Sequence, residues 1–168
     1  EALRRREQDD LIESRGKSIV VVGIPPEDLL DILEIRERLE GAATARCCRH
    51  ITKEQLAELD EIITLGEFYV DREMPEKILE ADNRFHTAIY YACGSRIFEK
   101  QLEALNKKLQ RHRQISISEN RRARASVGEH RDIFRALTAG NAELADRLAV
   151  LHVQRVKESI LSMAGSAG

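Results

Sequence analysis

Apolar residues recur every three or four positions along most of the chain, which is the spacing of helices that bury one face. Capping and helix-breaking residues divide this pattern into segments. Thr52 and Gln55 form a capping box, and Pro75 suits the first position of a helix. Gly94 and Gly140 suit helix ends. The pattern predicts helices over residues 27–50, 52–73, 75–94, 95–118, 120–140 and 141–163.

The first part of the chain follows a different pattern. Residues 1–8 resemble the end of a helix, and residues 11–14 and 18–22 have the composition of two short strands joined by a basic turn. Residues 24–26, with two prolines, predict a linker. The short connections after it favour antiparallel neighbours. The expected fold is therefore all-α: an antiparallel bundle of six or seven helices over residues 27–164, preceded by a short β-hairpin within residues 1–23.

The composition agrees with a helical domain. The chain has 168 residues, enough for one sizeable core, and only 4% are aromatic while 33% are charged. A net charge of −2 demands neither a nucleic acid nor a membrane as partner. The sequence holds no apolar stretch of transmembrane length and no signal peptide. Because it lacks an initiator Met and opens inside a helical pattern, we expect it to be a truncated protein.

The cysteines indicate a reducing environment. Cys47, Cys48 and Cys93 are few, odd in number and without a CxxC motif, which favours a cytoplasmic protein over a disulfide-bonded one. The adjacent pair Cys47 and Cys48 is compatible with a redox sensor or with plain packing at the end of a helix.

Four polar residues occupy positions where the helical stripes predict apolar ones. Asp82 and His86 lie one turn apart on the stripe of the third helix. His130 lies on the stripe of the fifth helix, and His152 lies on that of the sixth.

Burying a carboxylate and three imidazoles costs free energy unless each group finds a partner. One divalent cation would serve all four, since it accepts lone pairs from neutral imidazoles and balances the carboxylate charge. Such a donor set suits zinc, nickel or manganese. The alternative is that each histidine is a core residue bonded to a carbonyl, with Asp82 and His86 bonded to each other. Periodicity does not reveal whether the three helices converge.

Three motifs resemble a known family. They are Asp82-Asn83-Arg84-Phe85-His86, then Glu129-His130 running through Ala136-Leu137 to Gly140, and Ala145 followed by His152. In order and spacing they resemble the effector-binding (FCD) domain of FadR-type GntR transcription regulators. The resemblance covers about residues 27–163.

The resemblance implies a dimerising helical bundle that binds one divalent metal through Asp82, His86, His130 and His152. The metal would hold a small carboxylate metabolite. Arg36 matches an arginine that often points into the pocket of such proteins, where its guanidinium would bind the carboxylate. The alternative for Arg36 is a surface ion pair with Glu40. Ser126, one turn before His130, is a second candidate for effector binding.

The N-terminal residues resemble the end of a recognition helix and the wing of a winged helix-turn-helix. Arg4, Arg5, Arg15 and Lys17 would then be the remnant of a DNA-binding surface. The earlier helices of that domain lie outside the sequence, so we expect operator binding only from the full-length dimer. The residue pattern at Gln8, Asp9 and Asp10 departs from the family's usual small residues.

These features predict a ligand-responsive transcription regulator rather than an enzyme. One alternative is a metalloenzyme that acts on a small organic acid, with metal-activated water. Its candidate acid–base group, Glu129, is turned about 100° from His130 on an ideal helix, away from the site. The other alternative is a metal-free structural dimerisation module. The sequence identifies neither the effector nor the native metal.

Overall fold

The computed structural model describes the backbone of residues 12–15, 18–21, 24, 26–118 and 120–166. Among side chains it describes those of residues 24, 28–109 and 121–162. In this part of the chain two four-residue strands precede six helices, the lower of the two predicted helix numbers. The helices are α1 Pro26–His50, α2 Lys53–Asp71, α3 Pro75–Ala92, α4 Arg96–Ser118, α5 Asn120–Thr138 and α6 Ala142–Ser166.

The two strands, β1 Ile12–Arg15 and β2 Ser18–Val21, pair antiparallel with Ile12 opposite Val21. Among the described residues no helix contacts them. Nothing there identifies the pair as the wing of a DNA-binding domain. The predicted DNA-binding residues Arg4, Arg5 and Lys17 lie outside the described residues, as does the side chain of Arg15.

The helix boundaries follow the local signals. Thr52 caps α2 by accepting a hydrogen bond from the Gln55 backbone N–H, and the Gln55 side chain accepts one from the Thr52 N–H. The predicted capping box is therefore present. Pro75 occupies the first turn of α3. Gly140 has a φ of 67°, which ends α5 in the left-handed conformation that glycine adopts without strain.

Helix α6 packs against α1 along its length, α3, α4 and α5 also contact α1, and α2 packs against α3 and α5. The α1–α6 pair is antiparallel, since Leu33 shares a cluster with Val156 while Gly41 lies beside Asp146 and Val150. A Cβ built on Gly41 would lie 2.7 Å from Val150 Cγ2, so the absence of a side chain permits this close approach.

Two apolar clusters fill the interior. The larger one, called the main core, includes Ala43, Phe85, Leu102, Ile133 and Ala149. The smaller one, called the small core, consists of Leu29, Ile32, Leu33, Leu109 and Val156. No described helix is long and apolar enough to cross a membrane.

Candidate metal centre

The four polar residues of the helical stripes lie together inside the bundle. His86 of α3, His130 of α5 and His152 of α6 each offer one ligand atom, and these atoms lie within 4.8 Å of one another. Asp82 Oδ1 lies 3.9 Å from His86 Nε2 and 3.7 Å from His130 Nε2. All four residues are buried. The structure therefore brings together side chains that are up to 70 positions apart in the sequence.

Aromatic packing fixes the orientation of the imidazoles. The Phe85 ring stacks on His130, with centroids 4.0 Å apart and an interplanar angle of 18°. The His130 and His152 rings lie 4.8 Å apart, and His86 meets His130 edge to face at 5.2 Å. Because these contacts restrict ring rotation, the nitrogen atoms are held in place before any ligand arrives.

Glu129 lies behind His152, on the side away from the cluster. Its Oε2 is 2.7 Å from His152 Nδ1, and a carboxylate can only accept, so Nδ1–H donates. Arg122 binds both Glu129 oxygens at 2.9 Å, and Arg155 adds a third hydrogen bond at 3.2 Å. Burial alone would raise the pKa of Glu129, but hydrogen bonds from His152 and Arg122 lower that pKa to about 2.

This arrangement sets the tautomer of His152. With its proton on Nδ1, the imidazole carries its lone pair on Nε2. That Nε2 is buried and has no hydrogen-bond partner among the described residues. A buried lone pair without a donor is costly, and a metal ion would satisfy it.

Arg36 lies in a second buried network beside His86. Its Nε donates to Glu40 Oε1 at 3.0 Å, its Nη2 also donates to this oxygen, and Tyr90 donates its hydroxyl to the same oxygen. Glu40 Oε2 lies 3.6 Å from His86 Nδ1. Burial by itself would raise the pKa of Glu40, but the Arg36 charge and His86 hold it well below its usual value.

Arg36 is paired with Glu40, as one of its two interpretations predicted, whereas its role in effector binding stays a prediction. The ion pair with Glu40 exists, but it is buried rather than exposed, with Arg36 1% and Glu40 3% accessible. Arg36 therefore belongs to the interior around the cluster and is already paired there.

The donor set fits a divalent transition metal. Three imidazoles and one carboxylate are the ligands that zinc, nickel and manganese share. Two ligand atoms on one ion with bonds of about 2.1 Å lie at most about 4.2 Å apart. The separations of Asp82 Oδ1 from His86 Nε2 and His130 Nε2 fall inside this limit, and the 4.8 Å bound on the histidine ligand atoms exceeds it by about 0.6 Å.

One small cavity borders the cluster. A cavity of about 10 Å³ borders Asp82, Phe85 and His130, roughly the room that one water molecule needs. A larger groove of about 530 Å³ includes Arg84 and Tyr91 in its wall but none of the four clustered residues. Ser126 is buried one turn before His130. Its role in effector binding stays a prediction.

The interpretation of the sequence missed Glu129, Glu40 and Tyr90 as parts of the site. The sequence placed Glu129 away from the site, but it contacts the outer nitrogen Nδ1 of His152 from a neighbouring helix. That contact depends on how α5 packs on α6, which residue spacing does not encode. Tyr90 was detectable, because it lies one turn after His86.

The fold and the site define an all-α domain with a buried cluster of three histidines and an aspartate. The FCD domain matches residues 31–155, so the chain belongs to the FCD family. The HTH-type transcriptional repressor RspR of Escherichia coli (strain K12) is 24% identical over 126 residues, which are 75% of this chain and 55% of RspR. The uncharacterized HTH-type transcriptional regulator YdfH of Shigella flexneri gives the same values. The chain spans just over half the length of these curated relatives.

Solved structures agree on the fold. E. coli McbR/YncC superposes with a TM-score of 0.87 at 20% identity, covering 97% of this chain and 78% of McbR. A GntR regulator from Rhodococcus sp. RHA1 gives a TM-score of 0.78 at 19% identity, covering 96% and 77%. The curated relatives are named as transcriptional regulators, and the metalloenzyme alternative has no support from them.

Proposed function

We propose that the chain is the effector-binding part of a ligand-responsive transcription regulator of the GntR family. In this proposal Asp82, His86, His130 and His152 bind one divalent metal ion, which is zinc, nickel or manganese. The observation that carries it is His152, whose Nδ1 is bound to Glu129 while its Nε2 lies buried without a hydrogen-bond partner among the described residues. An ordinary core histidine would satisfy both nitrogen atoms.

The chain's own residues would prepare the centre. Asp82 supplies the negative charge, Glu129 keeps the His152 proton on Nδ1, and Phe85 holds the His130 ring. When bound, the metal ion would supply a positive charge and open coordination positions to which a carboxylate oxygen can bind.

The effector in this proposal is a small organic acid, with Arg36 and Ser126 as effector-binding residues. Residues 1–23 would belong to a winged-helix DNA-binding domain, with Arg4, Arg5, Arg15 and Lys17 near the DNA. Residues 24–26 would link it to the effector-binding domain over 27–164. The full-length protein would act as a homodimer in the cytoplasm. The effector changes operator affinity only as far as it binds one arrangement of the dimer more tightly than another.

Metal analysis tests the centre. The protein is purified without chelator or His-tag, and its metal content is measured by mass spectrometry. We expect about one transition-metal ion per chain. His152→Ala should lose most of it, whereas His50→Ala, which changes an exposed histidine outside the cluster, should retain it. An empty protein that gains no thermal stability from zinc, nickel or manganese would favour the structural dimerisation module.

DNA binding tests the regulatory role. Operator affinity of the full-length protein is measured with and without carboxylates, first in the wild type and then in His152→Ala. We expect an acid to change the affinity of the wild type and to have little effect on the variant. An equal response in both proteins would remove the metal from the mechanism.

A further inference from the structure

Three helices pass from the small core to the main core, and each carries a buried polar residue at the crossing. On α1, Arg36 lies between Leu33 of the small core and Ala43 of the main core. On α6, His152 lies between Val156 and Ala149, which belong to the small and main cores respectively.

Asn106 is the corresponding residue of α4. It lies between Leu102 of the main core and Leu109 of the small core, and it is 8% exposed. Nothing in the family motifs drew attention to it. The same two clusters flank Arg36 on α1, Asn106 on α4 and His152 on α6, which indicates that the three residues lie at a common level of the bundle.

Each of these three residues has one buried polar atom without a hydrogen-bond partner among the described residues. The atoms are Arg36 Nη1, Asn106 Oδ1 and His152 Nε2. Native interiors rarely leave such atoms unsatisfied, because their desolvation is not compensated. The set is chemically varied: one charged donor, one neutral acceptor and one imidazole lone pair.

We propose that Asn106 is a further ligand-binding residue, and that it selects an acid that also carries a hydroxyl group. This inference rests on the proposed function. The hydroxyl donates to Asn106 Oδ1, and one carboxylate oxygen accepts from Arg36 Nη1. Glu40 already occupies Nε and Nη2 of Arg36, so Nη1 is the donor left for the ligand.

The same atoms disfavour other acids. An acid with only an alkyl chain would leave Asn106 Oδ1 buried without a donor, which is the kind of loss that gives polar sites their selectivity. A second carboxylate at this place would put its oxygen atoms against Asn106 Oδ1, and both groups only accept hydrogen bonds. A hydroxy acid satisfies both Arg36 and Asn106.

The test compares matched acids on the zinc-loaded protein by isothermal titration calorimetry. The pairs are lactate with propionate, and 3-hydroxybutyrate with butyrate. We expect the wild type to bind the hydroxylated member about tenfold more tightly, as one neutral hydrogen bond allows. A hydroxyl can also coordinate the zinc ion, so the decisive measurement is the variant Asn106→Leu. There the preference should fall by about tenfold while propionate and butyrate bind as before.

Two controls keep the result clear. Gln101→Leu makes the same kind of change on the exposed face of α4 and should leave the preference intact. Without acid, Asn106→Leu should unfold at the same temperature as the wild type or higher, since it removes the buried Oδ1, which has no hydrogen-bond partner among the described residues, and keeps a side chain of similar size. Asn106→Ala serves as a second variant if the leucine does not fit.

The outcomes separate this inference from the proposed function. If the acids bind but Asn106→Leu and Asn106→Ala keep the full preference, Asn106 is not a ligand-binding residue, although the protein remains an acid receptor. If the hydroxylated and plain acids bind the wild type equally, the inference fails in the same way. If no acid binds the zinc-loaded wild type, the proposed function fails and the role of Asn106 with it.

Discussion

Glu129 accepts one hydrogen bond from His152 and also accepts hydrogen bonds from Arg122 and Arg155. The carboxylate orients the ring and makes its other nitrogen a better electron donor, which is the usual role of a carboxylate behind a metal-binding histidine. It also neutralises part of the charge of Arg122, which is partly buried with 11% of its side chain exposed. Glu129 thus links the stability of the bundle to the chemistry of the cluster.

Glu129→Gln should weaken metal binding. The amide retains an acceptor for His152 Nδ1–H but loses the charge that strengthens the bond, so we expect about tenfold lower zinc affinity in competition with a chelator. Glu143→Gln, which changes an exposed glutamate paired with Arg147, is the matched control. Equal zinc affinity in Glu129→Gln and wild type would mean that the carboxylate is only structural.

The cysteines at the end of α1 differ in burial. Cys47 is fully buried, and burial raises the pKa of its thiol to about 12, whereas Cys48 is half-buried and its pKa rises less. Both are free in the structure. The thiolate is the reactive form, so the structure favours plain packing for Cys47 over a role in a redox pair.

Alkylation with iodoacetamide at pH 8, followed by mass spectrometry, should therefore modify Cys48 well before Cys47. Cys47 should react only when the protein unfolds. Its folded pKa lies above the unfolded value of 9.0, so its burial also predicts lower stability as the pH rises from about 9 toward 12. Equal labelling rates for both thiols in the folded protein would contradict this assignment.

Local sequence signals determine where the helices end. Side-chain volume at a few close helix–helix contacts determines how the helices pack. The contact of α1 with α6 is the tightest example, because Gly41 lies against Asp146 and Val150. It matters for the site, since α1 carries Arg36 and Glu40 while α6 carries His152. A larger distance between α1 and α6 would separate the Arg36–Glu40 pair from His152.

Gly41→Ala and Gly128→Ala form a matched pair within the helices. A Cβ at Gly41 would lie 2.0 Å from Asp146 Oδ1 and 2.7 Å from Val150 Cγ2, so we expect a net loss of about 1 kcal/mol despite the better helix propensity of alanine. Nothing lies within 4 Å of a Cβ at Gly128, where the same change should gain about 0.5–1 kcal/mol. Urea unfolding measures both. A stabilised Gly41→Ala would show that α1 and α6 separate easily.

On the scale of the whole molecule, the buried residues Arg36, Asn106 and His152 lie between two apolar clusters. A bundle with one continuous apolar interior would be more stable, since each buried polar group must recover its desolvation cost. The ion pair of Arg36 with Glu40 and the hydrogen bond of Glu129 with His152 recover part of it. Arg36 Nη1, Asn106 Oδ1 and His152 Nε2 have no hydrogen-bond partner among the described residues, and bound ligands would supply partners for them.

Metal binding should therefore stabilise the whole bundle. Zinc at about one hundred times its dissociation constant would add about 2.7 kcal/mol, or roughly 5–10 °C in the melting temperature of a domain of this size. Differential scanning calorimetry with and without zinc measures the shift. His152→Ala should reduce it strongly, and His50→Ala should not. An unchanged melting temperature in the wild type would contradict metal binding by the folded state.

The sequence alone was enough to locate the helices and the inward-facing polar residues. Spacing of apolar residues, the capping box at Thr52 and the glycines at helix ends are local signals, and each produced the expected element. The same spacing placed Asp82, His86, His130 and His152 on buried stripes, where they lie. The family resemblance rested on those residues, and the match of the FCD domain to residues 31–155 confirms it.

Only the tertiary structure decided which of these residues meet and what lies behind them. A helical period fixes the face on which a side chain lies, but it carries no information about the distance to another helix. The contacts of Glu129 with His152 and of Glu40 with His86, and the place of Asn106 between the clusters, depend on how α1, α4, α5 and α6 pack. They follow from side-chain volumes summed over the whole interior, which is why no single stretch of sequence predicts them.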